Sequence, residues 1–483
     1  MLLELQSRLA GDDHVQAVEQ LIARTDHRAL YAAYRGTGSK PYRPERLLAI
    51  AIVLILQGIR SPSKWAIAAK NDDRCRLVGR GIEPSRSTFY NFRDRARKFI
   101  EAFHTSMIQD AIRKAIVNPT EGCLDGTFVA AAASRHKILR LRQVSRRLSV
   151  IKRAIRQYDN PDQIASRRQL KRAPSWLAKT PRGRLQQLEC FRAAKVKILN
   201  ETKANRELPS SLRRDEDEFK ISPADVEAVI GKDKFKLTRP LYNVQYMCDL
   251  ESDVILSYDV FRKKNDTGTL IPMIYKTQSI IGRQLKRVHA DSGYCSLLEV
   301  TDCIELGVDL FAPVAERIGS KGRPSACGEI QITVDEFPWD KTTQTLSCPA
   351  GHSMRRVSRS RDPRADDRYV IELRFEQEQA RCASCKLAER CLSSGSKRRT
   401  IRRLENQSIM DEQKQKMASE AGVQSTRNRK MRIERRYGDS KKHRGGRDLH
   451  GRGLSRATAE TGMMVVAQNT LTLYLMAKRT AIQ

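Results

Sequence analysis

From residue 1 to about 118, apolar positions recur at helical spacing and are interrupted by turns containing Gly and Pro. Tyr42-Arg43-Pro44-Glu45-Arg46 opens a helix with Pro44 near its first turn. The apolar run Leu47 to Leu56 follows, and Gly58 closes it. A second helix is expected after Ser61-Pro62-Ser63, running to about Ala69. A third is expected after Pro84-Ser85-Arg86-Ser87, with Thr88, Asn91 and Arg93 in its first turns.

At Cys123 the period changes. Residues 123 to 131 are apolar around one acid, Asp125, and suit a buried strand. Residues 135 to 203 then interrupt the strand pattern with helix-like spacing, broken at Pro161, Pro174 and Pro181. Strand signals resume at 241–248 and 253–261, two alternating runs separated by Asp249 to Ser252, which predicts a hairpin. Next come a helix from about Gly268 to Ile281, a short strand Arg287 to Asp291, a helix around Ser296 to Glu305 and a strand from Asp309 to Val314. Together these describe a mixed α/β sheet. Residues 315 to about 400 are polar and form a separate module. Helix returns afterwards, with an apolar stretch from Leu454 to Ala477 that packs most simply on the sheet.

Charge narrows the function. Lys and Arg number 90 against 56 Asp and Glu, a formal charge of +34 on 483 residues. A polyanion relieves such self-repulsion by releasing counterions, so nucleic acid is the expected partner. Residues 135 to 203 hold 20 Lys and Arg against 4 Asp and Glu, nearly half of the surplus, and read as a helical insertion that grips phosphates. The early helices, joined by short turns, then suggest a helix-turn-helix-like bundle. Thr88, Asn91 and Arg93 would meet a groove there, although a plain packing bundle fits the same pattern. The longest apolar run, ten residues, falls short of the roughly 20 that cross a bilayer. With an acidic start unlike a signal peptide and 11 unpatterned cysteines, this leads to the expectation of a cytoplasmic protein with reduced thiols.

A carboxylate at the end of a buried strand is costly unless it is paired or binds a cation. Asp125, in Asp-Gly-Thr, and Asp291, in Asp-Ser-Gly-Tyr, both occupy such places. Neighbouring carboxylates supply hard oxygen ligands to Mg²⁺ or Mn²⁺. Two such ions about 4 Å apart assist the attacking and leaving oxygens of a phosphodiester. For a third acid, Glu434 stands out among rivals such as Glu405, Glu412, Glu420 and Asp439. It is flanked by Arg427, Arg429, Lys430, Arg432, Arg435 and Arg436; an internal salt bridge is the competing reading. Asp266, before the Gly268 helix, is expected to cap it. His289 is expected to pack or hydrogen-bond.

The phrases LDGTFVAAAASRHK, PLYNVQYMCD, KKNDTGTLIPM, HADSGYCS and RKMRIERRYGDSK resemble the motif blocks of bacterial insertion-sequence DDE transposases. PYRPERLLAIAIVLILQGIRSPSKW resembles that group's helical N-terminal domain, and GRGLSRATAETGMMVVAQN its C-terminal tail. The resemblance implies an RNase H-like catalytic core with two divalent metals, held by Asp125, Asp291 and Glu434. It also implies DNA contacts from Arg429, Lys430 and Lys441, and a homodimer that holds two transposon ends. Where relatives often carry Tyr before the basic residues, this chain has Thr426.

Cys348-Pro-Ala-Gly-His352, Cys382-Ala-Ser-Cys385 and Cys391 have the composition of a structural Zn²⁺ site. Its expected ligands are Cys348, Cys382, Cys385 and Cys391, with His352 as a substitute. The organisation expected is a helical domain at 1–118, RNase H-like core strands at 119–134 and 236–315, a basic helical insertion at 135–235, a Cys-rich module at 316–400 and completing helices at 401–483. The activity expected is metal-dependent cleavage and transfer of DNA strands by a protein associated with the nucleoid. Two rivals are an inactive DNA-binding remnant acting as a repressor, and a nuclease of the same fold.

Overall fold

The computed structural model describes residues 2–34, 41–159, 173–315, 325, 327–329, 331–340, 342–361 and 370–480. Pro161, one of the expected helix breaks, lies outside them. The chain forms two compact units, residues 1–289 with 427–483 and residues 290–426. The expected α/β class, with helices at the N-terminal end and a mixed sheet, is what the chain adopts.

In the first unit, helices α1 (Leu2–Arg8), α2 (Asp13–Arg24), α3 (Arg28–Ala32), α4 (Pro44–Leu56), α5 (Pro62–Asn71), α6 (Asp73–Val78), α7 (Arg86–Ala96) and α8 (Ile100–Arg113) form a bundle. Pro44 opens α4, whose residues 47–56 are all buried, and Gly58 ends the turn in the left-handed region at φ 79°. The sheet is built on β1 (Glu121–Ala130) and β5 (Thr238–Asp249), which run antiparallel from Gly122 opposite Asp249 to Ala130 opposite Leu241. Strands β4 (Val229–Lys232) and β6 (Ile255–Phe261) both pair antiparallel with β5. β7 (Arg287–His289) pairs parallel with β1, Cys123 lying opposite His289.

Between β1 and β4 the chain makes the small ladder β2 (Leu139–Arg140) with β3 (Lys220–Ile221), and the helices α9 (Leu141–Tyr158) and α10 (Pro181–Glu207). These pack through Val144, Leu148, Ile151, Phe191, Ala194 and Ile198. Pro181 opens α10 where its missing N–H costs nothing, so this expected break is a helix start. α11 (Leu270–Ile281) follows the hairpin.

The apolar C-terminal stretch does more than pack on the sheet. Labels α16 (Glu420–His443) and α17 (Leu454–Thr480) denote the last two helices. α17 is buried from Ala459 to Thr470, and it contributes Met463, Met464, Val466 and Ala467 to the bundle core and Ala457 and Val465 to the sheet core. Gly462 allows Tyr258 to reach the helix, because a methyl group there would overlap the phenol. Asn469 accepts the Ile255 N–H at 2.9 Å and donates to the Ile255 carbonyl at 2.8 Å.

The second unit contains α12 (Leu297–Glu305), β8 (Asp309–Phe311), the short helices α13 (Gln379–Ala383) and α14 (Ala388–Cys391), and α15 (Gln407–Ala418), with Gln413 donating to the carbonyls of Leu310 and Ala312. It also has a five-stranded antiparallel sheet. Its order is β13 (Thr400–Leu404), β12 (Ile371–Glu376), β11 (Ser353–Arg361), β10 (Thr345–Ser347), β9 (Trp339–Asp340), over Leu346, Leu373, Phe375 and Ile401. Among the described residues no helix is long and apolar enough to cross a membrane.

His104 is buried against the Ile255 carbonyl at 3.0 Å, and burial pulls its pKa down from 6.5 to about 4. The unfolded ring therefore takes up its proton at higher pH than the folded ring does. Stability should be fully present above pH 6.5 and fall, by up to about 1.4 kcal/mol per pH unit, as pH drops from there toward 4. Urea unfolding of the wild type and His104→Gln across this range checks it: the variant should show the shallower slope.

Candidate active site and cysteine cavity

Along β1, Cys123, Asp125, Thr127 and Val129 share one sheet face, and Leu124, Gly126 and Phe128 the other. Asp125 sits in mid-strand, opposite Tyr246, rather than at the strand's carboxyl end as its sequence suggested. The strand continues because β5 pairs with it through Ala130, which no local pattern at Asp-Gly-Thr announces. The Asp125 side chain is 21% exposed. Its Oδ1 accepts the Gly126 N–H at 2.8 Å, and Arg429 Nη1 lies 3.7 Å from Oδ2.

Helix α16 supplies the groups around it. Arg429, Ile433, Tyr437 and Lys441 recur every four residues and so face one way. Tyr437 stacks on Tyr246 with ring centroids 4.8 Å apart. Its hydroxyl donates to the Asp125 carbonyl at 2.6 Å and to that of Val244 at 3.2 Å. Lys441 donates to Thr127 Oγ1. Burial lowers the Lys441 pKa, Lys234 adds to this, and Asp125 pulls the other way. Arg429 and Lys441, expected to reach DNA, are thus drawn in beside Asp125, whereas Lys430 is exposed.

Glu434 is exposed on the same helix and has no hydrogen bond or ion pair among the described residues. Three of the arginines read as its surroundings converge elsewhere. Arg432, Arg435 and Arg436 lie 3.2, 3.3 and 3.9 Å from the carboxylate of Asp253, whose side chain is only 5% exposed. Asp253 stands in the hairpin turn at φ 62°, a backbone conformation that Asp tolerates better than most residues. The sequence pattern places Asp253 at the start of the strand run 253–261, and nothing local marks it as the partner of three arginines far along the chain.

Asp291 lies in the second unit, partly exposed, and accepts the Gly293 N–H at 2.7 Å as it caps the single turn Ser292–Tyr294. It follows β7 rather than ending it. His289 is buried and contacts Glu121 Oε2 at 3.0 Å, as a hydrogen-bonding histidine should. Asp266 does not cap α11. Thr269 is the cap residue and uses no side-chain bond. Asp266 Oδ1 instead accepts from Asn243 Nδ2 at 2.8 Å and Gln245 Nε2 at 2.7 Å, two wholly buried amides that need an acceptor.

On α7, Asn91 is exposed. Thr88 bonds Ser85, which caps the helix. Arg93 pairs with Asp94 at 3.2 Å and lies over the Tyr90 ring.

In the second unit Cys348, Cys382, Cys385, Cys391 and His352 line one cavity of about 30 Å³, room for a single small ion or water. Gly351, at φ 84°, makes the turn after Cys348, and the Leu387 N–H points at Cys385 Sγ at 3.4 Å. Burial raises the Cys391 thiol pKa; Arg399 opposes this, and the other three thiols add to it. The sulfurs share a cavity, yet no three His, Cys, Asp or Glu side chains among the described residues close in as a metal-binding group.

Residues 347–474 match a family described as Transposase DDE domain, and residues 3–95 match one described as Transposase domain (DUF772). No curated protein and no solved structure matches the chain.

Asp253→Asn keeps the turn geometry but removes the buried carboxylate shared by Arg432, Arg435 and Arg436, leaving the buried Arg436 with its bond to Thr472. It should lower the unfolding free energy by about 3 kcal/mol, the usual cost of breaking a buried pair, measured by urea titration.

Proposed function

We propose that the chain is an insertion-sequence DDE transposase, as the transposase domain families matching residues 347–474 and 3–95 support, and that it cuts DNA at the ends of its element and joins the freed 3′-hydroxyls to target DNA. The observation that carries this reading is the parallel pairing of β1 and β7. Cys123 lies opposite His289, and in the sequence Asp125 and Asp291 each stand two residues after them. A sheet with β5 antiparallel and β7 parallel to the central β1 also supports an RNase H-like core.

In this reading Asp125, Asp291 and Glu434 are the catalytic carboxylates and hold two Mg²⁺ or Mn²⁺ ions. Their oxygens suit a hard cation, and Asp125 already faces cationic charge in Arg429. Bound there, such ions lower the pKa of the attacking water and stabilise the leaving oxygen. The chain's own part is to orient and to neutralise. The Gly126 N–H fixes one oxygen of Asp125, and Tyr437 ties the peptide behind it to α16. Arg429, loosely held at 3.7 Å, is placed to exchange Asp125 for a DNA phosphate. Lys441 and Lys430 extend that cationic surface.

The exposed basic side of α9 and α10 would track the backbone, Asn91 and its helix would dock against the duplex, and two copies would hold the two ends. Cys348, Cys382, Cys385 and Cys391 would hold a structural Zn²⁺, with His352 as substitute. Thiolates suit that ion, and it would tie the turn between β10 and β11 to the Cys382–Cys391 segment.

A labelled duplex carrying an element end, incubated with Mg²⁺ and target DNA, should yield nicked and then joined product. Asp125→Ala, Asp291→Ala and Glu434→Ala should each reduce nicking to background while DNA binding persists. Binding with no nicking by the wild type would favour an inactive, repressor-like remnant, and nicking with no joined product a nuclease. Metal analysis of the purified protein should find about one zinc per chain, and less than half as much in Cys385→Ser.

A further inference from the structure

Gly126 carries no side chain, and what occupies the space is polar. A methyl group on it would overlap Gln245 Nε2 and Asp266 Oδ1. Asp266 therefore rests directly on the strand, one residue from Asp125 and on the opposite sheet face. Three donated contacts hold that corner. Asn243 Nδ2 and Gln245 Nε2 both reach Asp266 Oδ1, and Asn243 Nδ2 also reaches the Asn265 carbonyl at 3.0 Å. Gln245 Nε2 donates to Asn243 Oδ1 at 2.8 Å, which closes the group. Asn243 and Gln245 are both fully buried, where a Leu and a Met would pack without needing partners.

The same glycine supplies the N–H that Asp125 Oδ1 accepts at 2.8 Å. A physical chain thus runs from two buried amides to Asp266, from Asp266 to the Gly126 backbone, and from its N–H to the Asp125 carboxylate. We propose that Asp266 is a positioning residue: held by Asn243 and Gln245, it presses on Gly126 and sets the direction in which Asp125 presents its oxygens. In this role Asp266 acts through Gly126, from the sheet face opposite Asp125, and not by contact with the reacting atoms. It acts as the outer partners of a metal ligand do, by removing rotational freedom before the ion arrives. The proposal rests on the reading of Asp125 as a metal ligand.

Mn²⁺ binding to the full-length protein, followed by calorimetry without DNA, tests it apart from activity. Asp266→Ala should weaken Mn²⁺ binding about tenfold, in line with other outer partners of metal ligands, with DNA affinity unchanged. Asp266→Asn keeps the accepting oxygen and should restore binding to within about threefold of wild type. Gln245→Met removes one donor at similar volume and serves as the second probe if the alanine variant folds poorly. Ile274→Ala, in the buried core of α11, should lower the melting temperature and leave Mn²⁺ affinity alone. Asp266→Ala and Gln245→Met both binding Mn²⁺ as the wild type does, while Asp125→Ala fails to, would overturn the positioning role alone. An asparagine variant as weak as the alanine one would assign the effect to charge and overturn it too. Unchanged binding in Asp125→Ala would overturn the underlying reading together with this one.

Discussion

One amide side chain closes the end of the hairpin strand β6. Asn469 both accepts from and donates to the Ile255 backbone, and His104 of the bundle meets the same carbonyl. A strand edge left bare in the interior would carry unpaired polar groups, each costing about 1–3 kcal/mol. The helix that brings Asn469 there is buried from Ala459 to Thr470, with the bundle on one side and the sheet on another. The N-terminal helices and the sheet of the first unit are therefore joined by a shared core. Arg60 repeats the theme, buried with Glu460 of that helix and bonding the carbonyls of Gly445 and Asp448.

With that core fixed, the sheet has two unlike faces. One carries α16 and presents Asp125 and Thr127 to Arg429, Tyr437 and Lys441. The other carries the Asn243, Gln245 and Asp266 group under Gly126. The strict alternation of a strand lets one residue step, from Asp125 to Gly126, connect them.

The surplus of positive charge is not spread as a uniform field. Part of it is used internally, since Arg432, Arg435 and Arg436 neutralise Asp253 and hold α16 to the hairpin. What remains available for a polyanion lies on exposed positions such as Arg142, Arg146, Arg153 and Arg156 of α9. These recur along one stripe, on the side away from its packed leucines and valine.

The helices at 44–56 and 86–96, the central hairpin and the strand around Asp125 were legible in the sequence. Pro, Gly and Ser mark their ends, and period 3.6 or 2 marks their buried faces. The gathering of Cys348, Cys382, Cys385 and Cys391 around one cavity followed the spacing seen in the sequence, whereas the mid-strand place of Asp125 did not. The five-stranded sheet of the second unit was not read, although Ile-Glu-Leu-Arg-Phe-Glu at 371–376 alternates plainly, because charged surroundings hid it in a polar stretch. Only the tertiary structure decided where side chains with two uses would go. Asp266 could cap a helix or bind buried amides, and Arg432, Arg435 and Arg436 could flank Glu434 or turn to Asp253. Local sequence leaves such choices nearly equal in energy, and the winner is whichever buried group elsewhere in the chain would otherwise lack a partner.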